Sequence, residues 1–142
     1  MNTEGAINLS VAKLRERCDP FVGCCWPELD RPITVTEVSE AISNDNLAPP
    51  ADYAFGKDND NRAKHAARVA WFVVHGWDKP LGVDVGVPSM GCCPEWPVID
   101  GNHRLAAAIY QNDSTIHADV SGSVDEIGKF VAESDNDNDW RN

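Results

Sequence analysis

Three stretches of the chain have hydrophobic patterns that predict their secondary structure clearly. Over 60–75, alanines and valines recur at helical spacing, and Gly76 follows as the expected stop. Over 81–87, apolar residues alternate strictly with glycine and aspartate, the pattern of a strand with one face in the core. Residues 115–120 alternate in the same way. The mixture of helix and strand patterns predicts an α/β (α+β) fold, a compact mixed sheet with flanking helices.

Shorter elements are predicted around the two later patterns. Residues 98–100 are predicted to form a short strand, followed by a helix over 103–111 that Asn112 ends. Ser123 and Glu126 have the spacing of a capping box, which predicts a last helix. We expect the inner stripe of that helix to consist of Val124, Ile127, Phe130 and Val131.

The N-terminal part allows more than one interpretation. Ile7, Leu9 and Val11 alternate as in a strand, yet Ser10 is also placed to cap a helix, and the helix is favoured. Residues 32–36 predict a short strand, after which Thr36 caps a helix with Val38, Ala41 and Ile42 on its inner face. The segment 44–56 contains a Pro-Pro pair and predicts a loop.

The length and net charge of the chain limit its possible functions. The chain has 142 residues, which fits a single domain over 1–132, and the Asp- and Asn-rich tail over 133–142 is expected to be disordered. Twelve basic against 23 acidic residues give a net charge of −11, which opposes general binding to nucleic acid or anionic lipid. A phosphate ligand must therefore be bound by a local site.

The sequence has neither a membrane-spanning pattern nor a signal-peptide pattern, and this predicts its localisation. No apolar run reaches the roughly 20 residues that span a bilayer, and the first residues have no signal-peptide pattern, so we expect a cytoplasmic protein with no membrane partner. The five cysteines then predict reduced thiols. Four are in vicinal pairs whose spacing suits zinc poorly, so they are interpreted as small buried apolar residues: Cys24, Cys25, Cys92 and Cys93.

The most informative stretch is the turn from the strand at 98–100 into the next helix. Gly101 lets the backbone approach a ligand closely, and the first turn of the helix has backbone N–H groups without intrahelical partners. Asn102, His103 and Arg104 add side-chain donors, so the turn predicts a phosphate site. The alternative is that Asn102 caps the helix while His103 and Arg104 are solvated residues with little core contact.

Asp100 lies immediately before this turn. Its carboxylate is a candidate ligand for Mg²⁺ or a candidate proton acceptor, and a capping role is equally open. Asp84, His65 and Arg68 are further candidates, but we interpret Asp84 as an exposed strand residue and the other two as part of a solvated helix face.

Asp-Gly-Asn-His-Arg-Leu-Ala-Ala, from Asp100, resembles the phosphate-binding motif of the ParB/sulfiredoxin-like superfamily, and the order of elements over 60–131 is similar. The resemblance implies nucleotide binding by Gly101, Asn102, His103 and Arg104, with Asp100 and His103 as the catalytic candidates. ATP or CTP with Mg²⁺ would be the cofactors.

Two departures narrow what the resemblance implies. The position of the catalytic cysteine of sulfiredoxins is Asn102 here, so a sulfinic-acid reductase is not expected. The DNA-binding and dimerisation domains of partitioning ParB proteins do not follow the motif, so the chain looks like a stand-alone phage or plasmid form. We expect a nucleoside-triphosphate-binding protein that hydrolyses the nucleotide or transfers its phosphoryl group. A non-catalytic inhibitor with an acidic surface for a protein partner is the alternative, and a nuclease is a third.

Overall fold

The computed structural model describes residues 6–50 and 61–132. Its elements, in chain order, confirm a mixed α+β fold with a four-stranded sheet. They are β1 (Ala6–Ser10), α1 (Val11–Arg15), α2 (Val35–Ser43), α3 (Asn61–His75), β2 (Leu81–Asp84), a 3-10 turn (Pro88–Met90), β3 (Val98–Asp100), α4 (Asn102–Tyr110), β4 (Thr115–Ser121) and α5 (Val124–Gly128). In the part of the chain that is described, no helix has the length and apolar character to cross a membrane.

The chain divides into two compact units. The sheet unit comprises the described residues of 1–18, 79–101 and 113–142, and the helical unit comprises those of 19–78 and 102–112. The sheet has the order β1-β4-β2-β3, in which only the β2–β4 pair is parallel. Its inward side chains are fully buried at Leu9, Leu81 and Ala118. The predicted alternation in β2 and β4 therefore does place one face of each strand in a core.

The helical unit consists of α2, α3 and α4, with α3 packed against both of the others. Ala66 and Ala70 of α3 and Ala106 and Ala107 of α4 are buried in one hydrophobic cluster with Val69. Small side chains at these positions let helix backbones approach closely. This close approach brings the polar residues at the edge of the α3–α4 contact near one another.

The structure corrects the predicted N-terminal elements. The strand and helix interpretations of the first residues are both right, because β1 ends at Ser10 and the Ser10 side chain then caps α1. The strand predicted over 32–36 is wrong. Thr34 instead caps α2 in a full capping box with Glu37, and Ile33 is buried before it. Thr34, two residues before the predicted cap Thr36, is the N-cap of this helix. The local sequence pattern fits either threonine and so did not distinguish them.

Two further corrections concern helix and strand ends. The strand predicted over 81–87 stops at Asp84, since Gly86 has a φ of +79° and turns the chain away from the sheet. The last helix begins at Val124 as predicted, but Ser123 makes no side-chain cap hydrogen bond, and Val124 is 81% exposed rather than inward. Residues 51–56 of the predicted loop and the predicted tail over 133–142 lie outside the described residues.

Candidate functional site

Two histidines meet where α3 packs on α4. Nδ1 of His65 lies 2.8 Å from Nε2 of His103. The two ring planes differ by only 14°, and their centroids are 5.0 Å apart. With adjacent ring nitrogens at hydrogen-bond distance, this spacing means that the imidazoles lie edge to edge in nearly one plane. They form a hydrogen-bonded pair in which the proton position depends on the tautomer.

Glu28 extends this pair to a chain of three groups. Its Oε2 atom lies 2.5 Å from Nε2 of His65, the ring nitrogen that does not face His103. The side chain of His65 is almost fully buried, whereas 30% of the Glu28 side chain is exposed. The Glu28–His65–His103 chain therefore connects a buried imidazole and a half-buried one to a carboxylate that water can reach.

Trp26 covers one face of both imidazoles. Its ring centroid is 4.5 Å from that of His65 and 4.7 Å from that of His103, in each case at an angle of 23°. Trp26 is itself buried in the hydrophobic cluster of the helical unit. An indole in van der Waals contact with both rings excludes water from that face and restricts ring rotation. The imidazole pair is thus held in one orientation by packing as well as by hydrogen bonds.

Two buried arginines act on this pair. Arg68 of α3 is 7% exposed and Arg104 of α4 is 6% exposed. Burial, together with the charges of His65, Arg68 and Arg104, lowers the pKa of His103 to about 3. His103 is therefore neutral at physiological pH. Its surroundings are positively charged in a protein whose net charge is −11.

Glu28 and His65 have shifted pKa values as well. Burial on its own would raise the pKa of Glu28, but the hydrogen bond from His65 and its charge outweigh burial, so the pKa of Glu28 is lowered. Burial lowers the pKa of His65, and the opposing effect of Glu28 is not large enough to reverse that direction. At neutral pH the chain therefore consists of a carboxylate and two neutral imidazoles.

The residues predicted from the phosphate motif are divided between the two units. Asn102, His103 and Arg104 form the first turn of α4 in the helical unit, as the sequence predicted. Gly101 ends the sheet unit with a φ of +101°, a conformation that favours glycine. Asp100 ends β3, and its exposed carboxylate is 3.4 Å from Nζ of Lys79.

Three expectations about solvation are wrong. The alternative interpretation of the motif has Arg104 solvated with little core contact, but Arg104 is buried. His65 and Arg68 were expected on a solvated helix face, and both are buried beside His103. Arg62, one turn earlier on the same face, donates hydrogen bonds to both carboxylate oxygens of Glu37. The polar face of α3 is therefore turned toward the protein.

Sequence reasoning missed the roles of Trp26 and Glu28. They lie in Cys-Cys-Trp-Pro-Glu, from Cys24, a segment without a periodic pattern that would indicate contact with the histidines. The cysteines are not the buried apolar residues that were expected, since three of them are exposed: Cys24, Cys92 and Cys93. Within 6–50 and 61–132, no group of three His, Cys, Asp or Glu side chains is placed to hold a metal ion. Comparison of the chain with protein families, with curated proteins and with solved structures found no match.

Proposed function

We propose that this protein binds a nucleoside triphosphate, ATP or CTP, with its phosphates at the first turn of α4, and that it hydrolyses the nucleotide or transfers a phosphoryl group. The observation that carries the proposal is the position of two buried arginines, Arg68 and Arg104, around a neutral imidazole at a helix N-terminus. The resemblance of the sequence from Asp100 to the ParB/sulfiredoxin-like phosphate motif supports the same ligand.

The electrostatics favour an anion at this place. The N-terminus of a helix presents backbone N–H groups and a partial positive charge, and α4 has no acidic residue in its first turn. An arginine can bind a phosphate through two parallel hydrogen bonds. Burial removes the screening by water that weakens such interactions at a surface. A multiply charged ligand gains most from these features, which favours a triphosphate over an uncharged metabolite.

His103 is the group proposed to take part in the reaction. In either hydrolysis or phosphoryl transfer, a hydroxyl oxygen attacks phosphorus and loses its proton, and a neutral imidazole is a suitable acceptor for that proton. His103 is neutral at physiological pH, since its pKa is lowered to about 3 by burial and by neighbouring positive charge. An imidazole with so low a pKa is a weak base, so this role requires the negative charge of the bound phosphates to raise the proton affinity of His103. Catalytic and binding roles for Asp100 and Gly101 stay predictions.

Mg²⁺ is the metal ion expected with a nucleotide, but Asp100 does not fit a resident metal site. It supplies one exposed carboxylate that already lies 3.4 Å from the ammonium group of Lys79. A magnesium ion at such sites keeps several waters and phosphate oxygens as ligands, so it would arrive with the nucleotide.

The state of the cysteines and the contacts of the basic residues on α3 support a cytoplasmic protein that binds a nucleotide and not DNA. None of the five cysteines, all of which are among the described residues, is in a disulfide bond, as expected where thiols are kept reduced. Two basic residues of α3 are not available to DNA, because Arg62 pairs with Glu37 and Arg68 is buried. These contacts weigh against the nuclease interpretation.

The test is the change in melting temperature on addition of ATP or CTP, with and without Mg²⁺. A ligand that binds only the folded state raises the melting temperature by mass action. Arg104→Lys keeps a positive charge but loses the two-pronged geometry, and Arg104→Met loses both, so the nucleotide-induced rise should shrink in the first and vanish in the second. Both variants are compared with their own unliganded state, since a buried arginine also contributes to stability.

Arg62→Gln is the matched control. Arg62 is also an arginine of the helical unit with carboxylate and backbone acceptors, so its replacement lowers stability without touching the proposed site. This variant should keep the full response to nucleotide. An equal response in wild type and Arg104→Met would contradict the proposal. If nucleotide binds but no phosphate is released or transferred, the protein binds nucleotide without catalysis. The alternative function, a non-catalytic inhibitor with an acidic surface for a protein partner, would then be favoured.

A further inference from the structure

We infer that Glu28 and His65 are positioning residues that hold His103 in a single tautomer, with Nδ1 of His103 as the proton-accepting atom, and that a proton taken up there is held on His65. The inference deepens the proposed function, on which it rests for the identity of the substrate. The tautomer itself follows from the contacts of the unliganded protein and is measurable without a ligand.

The direction of the hydrogen bonds is fixed at the carboxylate end. An ionised carboxylate has no proton to donate, so it can only accept. Oε2 of Glu28 lies 2.5 Å from Nε2 of His65, and this nitrogen must therefore hold the proton. Since His65 is neutral, its Nδ1 atom has a lone pair and can only accept.

The same argument applies to the imidazole of His103. Nδ1 of His65 is 2.8 Å from Nε2 of His103, and two lone pairs cannot face each other at that distance. Nε2 of His103 therefore donates the hydrogen bond. His103 is neutral as well, so its remaining nitrogen, Nδ1, is left as the acceptor. The exposed carboxylate of Glu28 thus decides which atom of His103 can accept a proton, across an intervening ring.

Packing makes this arrangement a fixed one. The imidazoles come from two different helices, α3 and α4, and lie within 14° of one plane. Trp26 contacts both rings on one side, with centroid distances of 4.5 and 4.7 Å. A ring flip of either histidine would break a partly buried hydrogen bond and leave its partner group unsatisfied, so the flipped orientation is disfavoured.

The charges also decide where an extra proton resides. When Nδ1 of His103 takes a proton from the attacking hydroxyl, the proton on Nε2 of His103 can pass to Nδ1 of His65. His103 is then neutral again, and His65 is an imidazolium that donates to the Glu28 carboxylate. The positive charge moves away from Arg104 to the imidazole that donates to the Glu28 carboxylate, and the carboxylate stabilises it, while Arg68 acts on both rings. The reverse transfer returns the proton to a leaving oxygen, so no proton is gained or lost by the protein.

The tautomers are measured by long-range ¹H–¹⁵N NMR of the histidine rings in the unliganded protein at about pH 7.5, where imidazoles of ordinary pKa are neutral. We expect His65 and His103 to hold their protons on Nε2. His117 serves as an internal control, because its Nδ1 atom lies 3.0 Å from Oδ1 of Asn8, an acceptor, and it should show the opposite tautomer.

Two substitutions at Glu28 separate positioning from charge. Glu28→Ala removes the acceptor, so both tautomers should become mixed in His65 and His103 but not in His117. Glu28→Gln keeps an acceptor oxygen and should keep the tautomers. It no longer provides a negative charge for the imidazolium, so kcat should fall by about tenfold or more with little change in KM. With 30% of the side chain exposed, both variants should fold.

The outcomes distinguish this inference from the proposed function. A proton on Nδ1 of His103 in the wild type, or unchanged tautomers in Glu28→Ala, would overturn the inference even if nucleotide binds. Absence of nucleotide binding, with the tautomers as expected, would overturn the proposed substrate and leave the positioning of His103 supported. An unchanged kcat in Glu28→Gln in an active enzyme would remove the proton-holding role of His65.

Discussion

Acidification should destabilise this protein through His103, because the folded state keeps that imidazole neutral. The pKa of His103 is lowered from 6.5 to about 3 by burial and by the neighbouring positive charges. Between these two values the unfolded chain takes up a proton that the folded chain does not. The free energy of unfolding therefore falls as the pH drops below 6.5, and the loss is complete only near pH 3.

The size of the effect follows from the two pKa values of His103. Each pH unit below the unfolded pKa costs about 1.4 kcal/mol, so a change from about pH 7.5 to about pH 5 should lower the free energy of unfolding by about 2 kcal/mol. His65, whose pKa is also lowered by burial, adds to the loss in the same direction. Glu28 and Glu37 have pKa values lowered from 4.5, and their stabilising effects are lost only at more acidic pH.

The measurement is urea unfolding at both pH values for the wild type, His103→Gln and His117→Gln. Glutamine does not titrate, so the His103 variant should lose about 2 kcal/mol less than the wild type on acidification, whatever its absolute stability. His117→Gln replaces an exposed histidine of β4 and leaves the Glu28–His65–His103 chain intact, so this variant should keep the loss that His103 causes. An equal pH dependence in the wild type and His103→Gln would show that the imidazole is not held neutral and would refute the reasoning.

Three further predictions test the local structure. Thr34→Ala removes the capping box of α2 and should lower the free energy of unfolding by about 1 kcal/mol in urea, with Thr34→Ser restoring most of it. Gly86→Ala and Gly91→Ala both place alanine at positive φ, but only the former sets a Cβ atom in steric overlap with the carbonyl oxygen of Cys92. Its melting temperature should fall well below that of Gly91→Ala, and equal melting temperatures would contradict this contact. A water-soluble thiol reagent should leave buried Cys18 unmodified in the folded protein, and quantitation should show fast reaction at the three exposed cysteines: Cys24, Cys92 and Cys93.

The sequence determined the parts of the fold that local periodicity controls. The helix pattern ending at His75 and the strand pattern beginning at Thr115 agree with α3 and β4, since each element buries one face and so must repeat its apolar residues at the period of that structure. The sequence also located the first turn of α4, because a strand, a glycine and an alanine-rich segment follow one another without a gap. Where an element makes little contact, as at Val124, the same reasoning failed.

Only the tertiary structure decided what the polar residues near this turn do. A row of polar residues on α3 can face water or line a buried site. The backbone hydrogen bonds of a helix are made within the helix in either case, so they do not favour one over the other. Packing of α3 on α4 selected the second for His65 and Arg68. Trp26 and Glu28 come from a segment about 40 residues away from His65, where no periodic pattern exists to indicate a partner. The lowered pKa of His103 depends on burial and on charges contributed by other elements, so it is a property of the folded chain and not of any local sequence.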